Sequence, residues 1–290
     1  MIVCVLLPRF ELAVAAGGRA ALAKGPMALA PEPGREQVVG EVSQAAEALG
    51  IHPGMRLGEA LARAPRLALT PPDPVGVADA WERVLARLEA VGAAVESERP
   101  GAACFEARGL RRLHGGSLDG TVDAVRAALR LPARIGAGPS RFCAVAAAGR
   151  ARTRRAFIVR GAEDLAGEPV GLLRRRAQTA HLPAELERLG IGTLGALAAL
   201  PRAAVADRFG PAGILAHDLA HGRDAPLRPR TPREALEETL DLEESASGEQ
   251  LERALGLLID RLLARPDRRG RVLRAAVLSA RLVEGGTWRE

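Results

Sequence analysis

The sequence predicts a mixed α+β protein, and three observations carry that prediction. Ile2-Val3-Cys4-Val5-Leu6-Leu7 is an unbroken apolar run ended by Pro8, the pattern of a strand buried on both faces. Val95 to Glu106 reads as two short strands, with Pro100-Gly101 marking the tight turn between them. Helical apolar spacing flanks this hairpin. Trp81, Val84, Leu85 and Leu88 form one stripe within Val77 to Leu88, and Val122, Val125, Ala128 and Leu129 form another within Ser117 to Leu129.

Composition narrows the class. A chain of 290 residues with 48% hydrophobic and 26% charged residues has the make-up of a soluble globular protein of two or more small domains. Aromatics are only 2%, so its cores must be built from Ala, Leu and Val. Lys24 is the single lysine, which reflects base composition before function. The net charge of +6 is spread evenly: residues 1–150 hold 18 Lys/Arg and 15 Asp/Glu, residues 151–290 hold 23 and 20. There is no basic tail, and a mildly basic chain suits nucleic acid without establishing it. Cys4, Cys104 and Cys143 lack metal-ligand spacing and are expected to be reduced core residues of a cytoplasmic protein. The first apolar run lacks the flanks of a signal peptide, and no run approaches the ~20 residues of a membrane span.

The remaining elements follow in order. Ser43 to Leu67 reads as a helix, a Gly50 cap, a turn through Pro53-Gly54 and a second helix. Pro71 to Pro74 is a loop. Arg134-Ile135-Gly136-Ala137-Gly138-Pro139-Ser140-Arg141-Phe142 turns from strand into helix, and its Gly-x-Gly alone is weak evidence for phosphate binding. Ala156 to Val159 is a short strand, and Leu172 to Ala220 is helical. Pro226 to Glu234, rich in Pro and Arg, reads as a linker. After it come a strand over Glu237 to Glu243, an amphipathic helix over Glu249 to Leu263, and a strand over Val272 to Val283 turned back by Glu284-Gly285-Gly286. An unfinished sheet leaves a bare edge, so the natural protein is expected to continue past Glu290.

Several of these stretches together resemble the Y-family (DinB/UmuC-type) translesion DNA polymerases. Glu47-Ala48-Leu49-Gly50-Ile51-His52-Pro53-Gly54-Met55, with Glu59-Ala60 and Ala64-Pro65, resembles the family's fingers signature. Residues 134–153 resemble its palm strand–helix segment. Leu186-Glu187-Arg188-Leu189-Gly190-Ile191-Gly192-Thr193-Leu194-Gly195-Ala196-Leu197 resembles its thumb motif, and Asp207 to Gly210 and His221 to Asp224 also have counterparts there. The resemblance implies a ferredoxin-like palm (1–24 and 76–165), fingers (25–75), a helical thumb (166–225), a linker (226–236) and an incomplete little finger (237–290).

It also implies lost chemistry. In active members the first strand closes with Asp-x-Asp-x-Phe-Phe and the hairpin carries Asp-Glu, and these acids hold two magnesium ions. Here the first pair falls on Leu6 or Leu7 and Pro8 or Arg9, and the second on Gly101 and Ala102. The Tyr and Arg that grip the triphosphate fall on Gln44 and Glu47, and an acid repels a triphosphate. Leu7, Gly101, Ala102, Gln44 and Glu47 are therefore expected to be vestigial positions. The Leu-Leu-Pro-Arg-Phe wording is similar to the non-catalytic, ImuB-type branch.

The implied function is that of a catalytically inactive, DNA-binding adaptor in damage-induced translesion synthesis. It needs no cofactor and no metal. Its implied partners are primer-template or damaged DNA, a replicative-type polymerase, the sliding clamp and a RecA-like or ImuA-like protein, with no membrane. Expected DNA contacts are Arg150, Arg152, Arg154, Arg155, Gly190, Gly192, Thr193, Arg208, Arg268, Arg269 and Arg271. One of two phosphate clamps is in doubt, because His181-Leu182-Pro183 stands where the family has a Gly-Ile-Gly hairpin. Two alternatives stay open: an active translesion polymerase, and a protein–protein scaffold that no longer binds DNA. Glu96 and Glu98 share a strand face that reads as solvated, and Arg174-Arg175-Arg176 reads either as a solvated face or as a contact to the DNA backbone. His217 and His221 share a helix face without an evident third metal ligand.

Overall fold

A computed structural model describes residues 1–32, 34–231, 236–242, 246–268, 272, 276–283 and 285–290. Along the chain the elements are β1 (Ile2–Leu6), α1 (Phe10–Ala15), β2 (Met27–Leu29), α2 (Gln44–Ala48), α3 (Leu57–Arg63), β3 (Ala68–Thr70), α4 (Pro74–Ala90), β4 (Val95–Arg99), β5 (Ala102–Glu106), α5 (Ala107–Leu113), α6 (Leu118–Leu129), β6 (Arg134–Gly138), α7 (Arg141–Arg150) and β7 (Phe157–Ile158). Then come α8 (Ala162–Leu165), α9 (Leu182–Arg188), α10 (Leu194–Ala198), α11 (Arg202–Ala220), α12 (Glu249–Ala264), β8 (Ser279–Arg281) and β9 (Thr287–Arg289). Short 3-10 turns occupy Val170–Arg175 and Ala177–Thr179. The chain forms two compact units, Met1–Glu11 with Ala78–Arg230, and Leu12–Val77 with Thr231–Glu290.

The first unit is built on a five-stranded sheet of order β4-β5-β1-β6-β7. β1 lies at its centre because it is apolar on both faces. Val3 pairs with Phe105 and Ala137, and Val5 with Ala103 and Ile135. All six are buried and form the core of one face. On the other face Cys4 pairs with Cys104 and Gly136 and packs against Ala144 and Ala148 of α7. The approach of α7 is so close that a methyl at Gly136 would run into the Ala148 backbone, which is why glycine stands there. β7 joins parallel to β6 after this helical crossover. The predicted helices over Ser117–Leu129 and after Ser140 form with both serines as N-caps, accepting from Gly120 N and Cys143 N.

Beyond β7 the expected long helical region is broken into short pieces. The 3-10 turns, α9, α10 and α11 close over a core that includes Phe142, Leu165, Leu173, Leu186, Leu194 and Leu219. α11 is kinked at Gly210-Pro211, where proline cannot continue the helical ladder.

In the second unit β2 and β3 pair in parallel, and α2 and α3 pack over Ala28, Val39, Val42, Ala46, Ile51 and Met55. Ser43 is completely buried and fully used: its Oγ accepts from Met27 N and Ala46 N and donates to Gly25 O. Gly50 and Gly54 take positive φ at the predicted cap and turn. In the C-terminal stretch α12 spans the expected helix, whereas the expected strand over Glu237–Glu243 is absent from the described residues up to 242. Of the expected strand over Val272–Val283, the described residues form β8, which pairs with β9, and residues 273–275 lie outside the described residues, as does residue 284 of the expected turn. A strand extends only as far as a neighbour supplies its ladder, and here the hairpin partner is three residues long.

Candidate functional site

The end of the sheet that carries Leu6 brings three predicted positions together. Ala102 pairs with Leu6, and the Leu7 N–H donates to the Gly101 carbonyl at 2.8 Å. Gly101 turns the hairpin with φ +82°, and a methyl on it would stand 3.1 Å from both the Leu7 oxygen and Phe10 Cβ. Leu7 is buried, and Phe10 meets Trp81 edge-on at 5.2 Å. Leu7, Gly101 and Ala102 thus present no side-chain oxygen. Hard divalent cations take oxygen ligands, so these residues do not fit a magnesium centre. Among the described residues no group of three or more His, Cys, Asp or Glu is gathered to hold a metal.

Beside this apolar end lies an ion-pair cluster that sequence reading missed. Glu96 is withdrawn from the solvated face expected for this strand, while Glu98 stays half exposed. Glu96 is largely enclosed and pairs with Arg141 and the backbone N–H of Arg228. Glu98 accepts from Arg141 at 2.8 Å and Arg176 at 2.9 Å. Arg176 also donates to Asp224 at 2.8 Å, and Arg141 Nε stands 3.7 Å from the same carboxylate. The Asp224 side chain is wholly enclosed and accepts from Phe142 N at 3.1 Å and Ala225 N at 2.8 Å. Burial pushes its carboxyl pKa up, against the pull of Arg176 and the two backbone N–H groups. Arg176 is therefore not a solvated residue of the Arg174-Arg175-Arg176 run, because charge pairing at separations of 48 and 78 residues draws it inward. These groups line a cavity of about 50 Å³ together with Cys4, Leu6, Arg99, Ala102 and Arg175.

The sequence predicted other positions on other elements. Gln44 and Glu47 occupy the exposed first turn of α2, in the second unit. Arg150 ends α7 with its guanidinium 4.4 Å above the Phe157 ring and 3.5 Å from Glu168. Arg152, Arg154 and Arg155 gather on one exposed turn closed by Arg155 N–H to Arg152 O at 3.0 Å. Gly190 has φ +78°, and Gly192 and Thr193 follow on the exposed α9–α10 turn, where Thr193 caps α10 through Ala196 N. Arg208 is exposed on α11, beside Phe209. Arg268 belongs to the second unit and donates to Leu263 O at 3.1 Å, while Arg269 and Arg271 lie outside the described residues. His217 is buried and bonded to Leu200 O at 3.0 Å, with its ring 4.5 Å from that of His221, a packing role.

Residues 6–149 match the impB/mucB/samB family, the Y-family polymerase domain. The chain belongs to this family. Among its relatives are Protein ImuB of Caulobacter vibrioides, 33% identical over 60% of this chain and 38% of that protein. Another is DNA polymerase IV of Moorella thermoacetica, 29% identical over 63% of this chain and 47% of that protein. This Y-family chain therefore spans less than half the length of the curated relatives it matches. DinB from Sulfolobus solfataricus shares its fold at a TM-score of 0.61 and 18% identity, over 76% of this chain and 67% of that structure. No helix among the described residues is long and apolar enough to cross a membrane.

The Y-family signal lay in ordered glycines and apolar runs, which survive as geometry. The ion-pair cluster had no such signal, because its members come from β4, α7, the bend between the two 3-10 turns and the segment after α11. The one local cue was Asp224 in the His221-Gly222-Arg223-Asp224 stretch.

Proposed function

We propose that this chain is a catalytically inactive, ImuB-like member of the Y-family that acts as a DNA-binding adaptor in translesion synthesis. The observation that carries this reading is the sheet end at Leu7, Gly101 and Ala102, where the family's metal-binding acids fall and no carboxylate stands. Gln44 and Glu47, where the family grips the triphosphate, agree with it. The palm, fingers, thumb and little-finger boundaries inferred from the sequence belong to the same proposal.

DNA is held by guanidinium groups and backbone N–H groups on phosphates, without base readout. The exposed turn of Arg152, Arg154 and Arg155 and the glycine turn at Gly190–Thr193 are the contacts proposed within the first unit. Arg150, Arg208, Arg268, Arg269 and Arg271 complete the set. A replicative-type polymerase, the sliding clamp and a RecA-like or ImuA-like protein are the proposed partners.

Single-nucleotide incorporation on a primer-template with magnesium tests the inactive reading. No product is expected from the natural chain or from Leu7→Asp/Gly101→Asp/Ala102→Glu, since Gln44 and Glu47 remain. Product from the natural chain establishes instead the polymerase reading that the similarity to a DNA polymerase IV favours. Fluorescence anisotropy on the same duplex tests the holding role: affinity falls with salt by ~0.9 of a log unit per log unit of salt for each neutralised phosphate. Flat, negligible binding at low salt removes it and leaves the scaffold.

A further inference from the structure

The β4–β5 hairpin pairs Val95 with Phe105 and Glu96 with Cys104, but its next pair is Arg99 with Ala102. One extra residue therefore sits in β4, a bulge, and a bulge re-aims the side chains that follow it. In uninterrupted register Glu98 would face Ala102; in the observed register Arg99 does. Ser97 fixes the bulge: its Oγ accepts the Trp81 indole N–H at 2.9 Å and lies 3.0 Å from the Ala102 carbonyl oxygen, to which it donates. A transverse row then runs Arg99, Ala102, Leu6, Arg134 across β4, β5, β1 and β6. The arginines end a row three strand spacings wide, about 14 Å, with small or apolar side chains between them. Arg175 lines the same cavity as Arg99, Ala102 and Leu6.

These three arginines have no carboxylate within ion-pair distance among the described residues. The nearby acids, Glu96, Glu98 and Asp224, are taken by Arg141 and Arg176. Three acids against two arginines leave one negative charge, which three further guanidinium groups turn into a surplus of two positive. Arg175 registers the crowding: burial first, then Arg99 and Arg134, push its pKa down. Arg141 and Arg176 also line the cavity, and their buried Nε groups have no hydrogen-bond partner. Guanidinium groups match phosphate oxygens in charge and in fork geometry.

We propose that Arg99, Arg134 and Arg175 form a phosphate-binding site at the sheet end beside Leu6 and Ala102, where a relative with catalytic acids gathers cations instead. The ligand class is a phosphate group, as ester or anhydride, bound without a metal. It belongs either to a free nucleotide or to a nucleic-acid backbone. The site stands independently of the DNA-holding role, because a small phosphate compound suffices to fill it.

The test is calorimetric titration of the 290-residue chain with inorganic pyrophosphate in EDTA. The natural chain binds, and Arg99→Gln/Arg175→Gln loses about tenfold or more in affinity, the loss of two charge-assisted contacts. The unliganded variant melts no lower than the natural chain, since it sheds uncompensated like charge. Ala102→Asp is the second variant: it supplies an internal carboxylate to the row, abolishes pyrophosphate binding and leaves the melting temperature unchanged or higher. Absence of binding to the natural chain, or equal binding by both variants, overturns the proposal. Competition separates the sources: displacement of pyrophosphate by duplex assigns the site to a backbone phosphate, and displacement by a nucleoside triphosphate alone assigns it to a free nucleotide. Pyrophosphate binding beside flat anisotropy on duplex refutes DNA holding and keeps the site.

Discussion

Arg176→Gln probes the ion-pair cluster most directly. Arg176 is nine-tenths enclosed and holds Glu98 and Asp224 at 2.9 and 2.8 Å. Removing one partner of a buried pair leaves an uncompensated charge and costs ~3–5 kcal/mol. Glu98 is half exposed and keeps Arg141, so it resolvates cheaply, whereas Asp224 is fully enclosed and retains only Arg141 Nε at 3.7 Å and two backbone N–H groups. The lower end, about 3 kcal/mol, is therefore expected. At roughly 2–4 °C per kcal/mol for a unit of this size, the first unit's transition falls by about 6–12 °C.

The pH dependence carries a sign. Burial already raises the Asp224 pKa, and Arg176 is the main charge opposing it, so the substitution raises it further. A carboxyl whose folded pKa exceeds its unfolded one weakens the fold as pH rises from the unfolded pKa through the folded one, because the folded state holds the extra proton. The deficit of Arg176→Gln relative to the natural chain is thus largest near neutrality and shrinks on acidification. Calorimetric melts of both proteins across that range measure it. A deficit below about 1 kcal/mol at neutral pH, or one that grows in acid, refutes the view that Asp224 depends on Arg176.

Two further substitutions and one titration test other features. Gly101→Ala places a side chain at φ +82° and 3.1 Å from backbone and ring-bearing neighbours, so a loss of about 1–3 kcal/mol by chemical denaturation is expected. Arg154→Gln/Arg155→Gln lowers duplex affinity at low salt and reduces the salt slope by ~1.8, which a salt series by anisotropy reads. Cys104 is kept a protonated thiol by a hydrogen bond with the Cys4 thiol and by burial, and burial likewise raises the Cys143 pKa. Alkylation at pH 8 should therefore label these thiols only after denaturant is added, as mass spectrometry reports.

What could be read from residues was what local pattern encodes. Ile2 to Leu7 announced a buried strand because all its side chains are apolar, and Val122, Val125, Ala128 and Leu129 announced a helix by their spacing, whereas the capping roles of Ser117 and Ser140 came only with the structure. The gathering of Leu7, Gly101 and Ala102 was legible through the hairpin and its family resemblance. The burial of Glu96 and Arg176 was not: both look solvated in their own neighbourhoods, and their partners lie 45 and 48 residues away. The strand expected from Glu237 is absent over the described residues 237–242 for the converse reason, since a local stretch can suit a strand and only a neighbour completes it.

The bulge in the hairpin has an evolutionary corollary. Charge at the Ala102 row is decided by spacing as much as by residue identity, because Glu98 and Arg99 are consecutive and only one of them can face Ala102. Loss of either Ser97 or Glu98 would straighten the ladder and still leave Arg99 opposite Ala102, whereas closing the bulge at constant length would bring Glu98 there instead. The basic end of this row therefore withstands a one-residue shortening of the hairpin arm, and its sign is set by whether the extra residue is accommodated as a bulge.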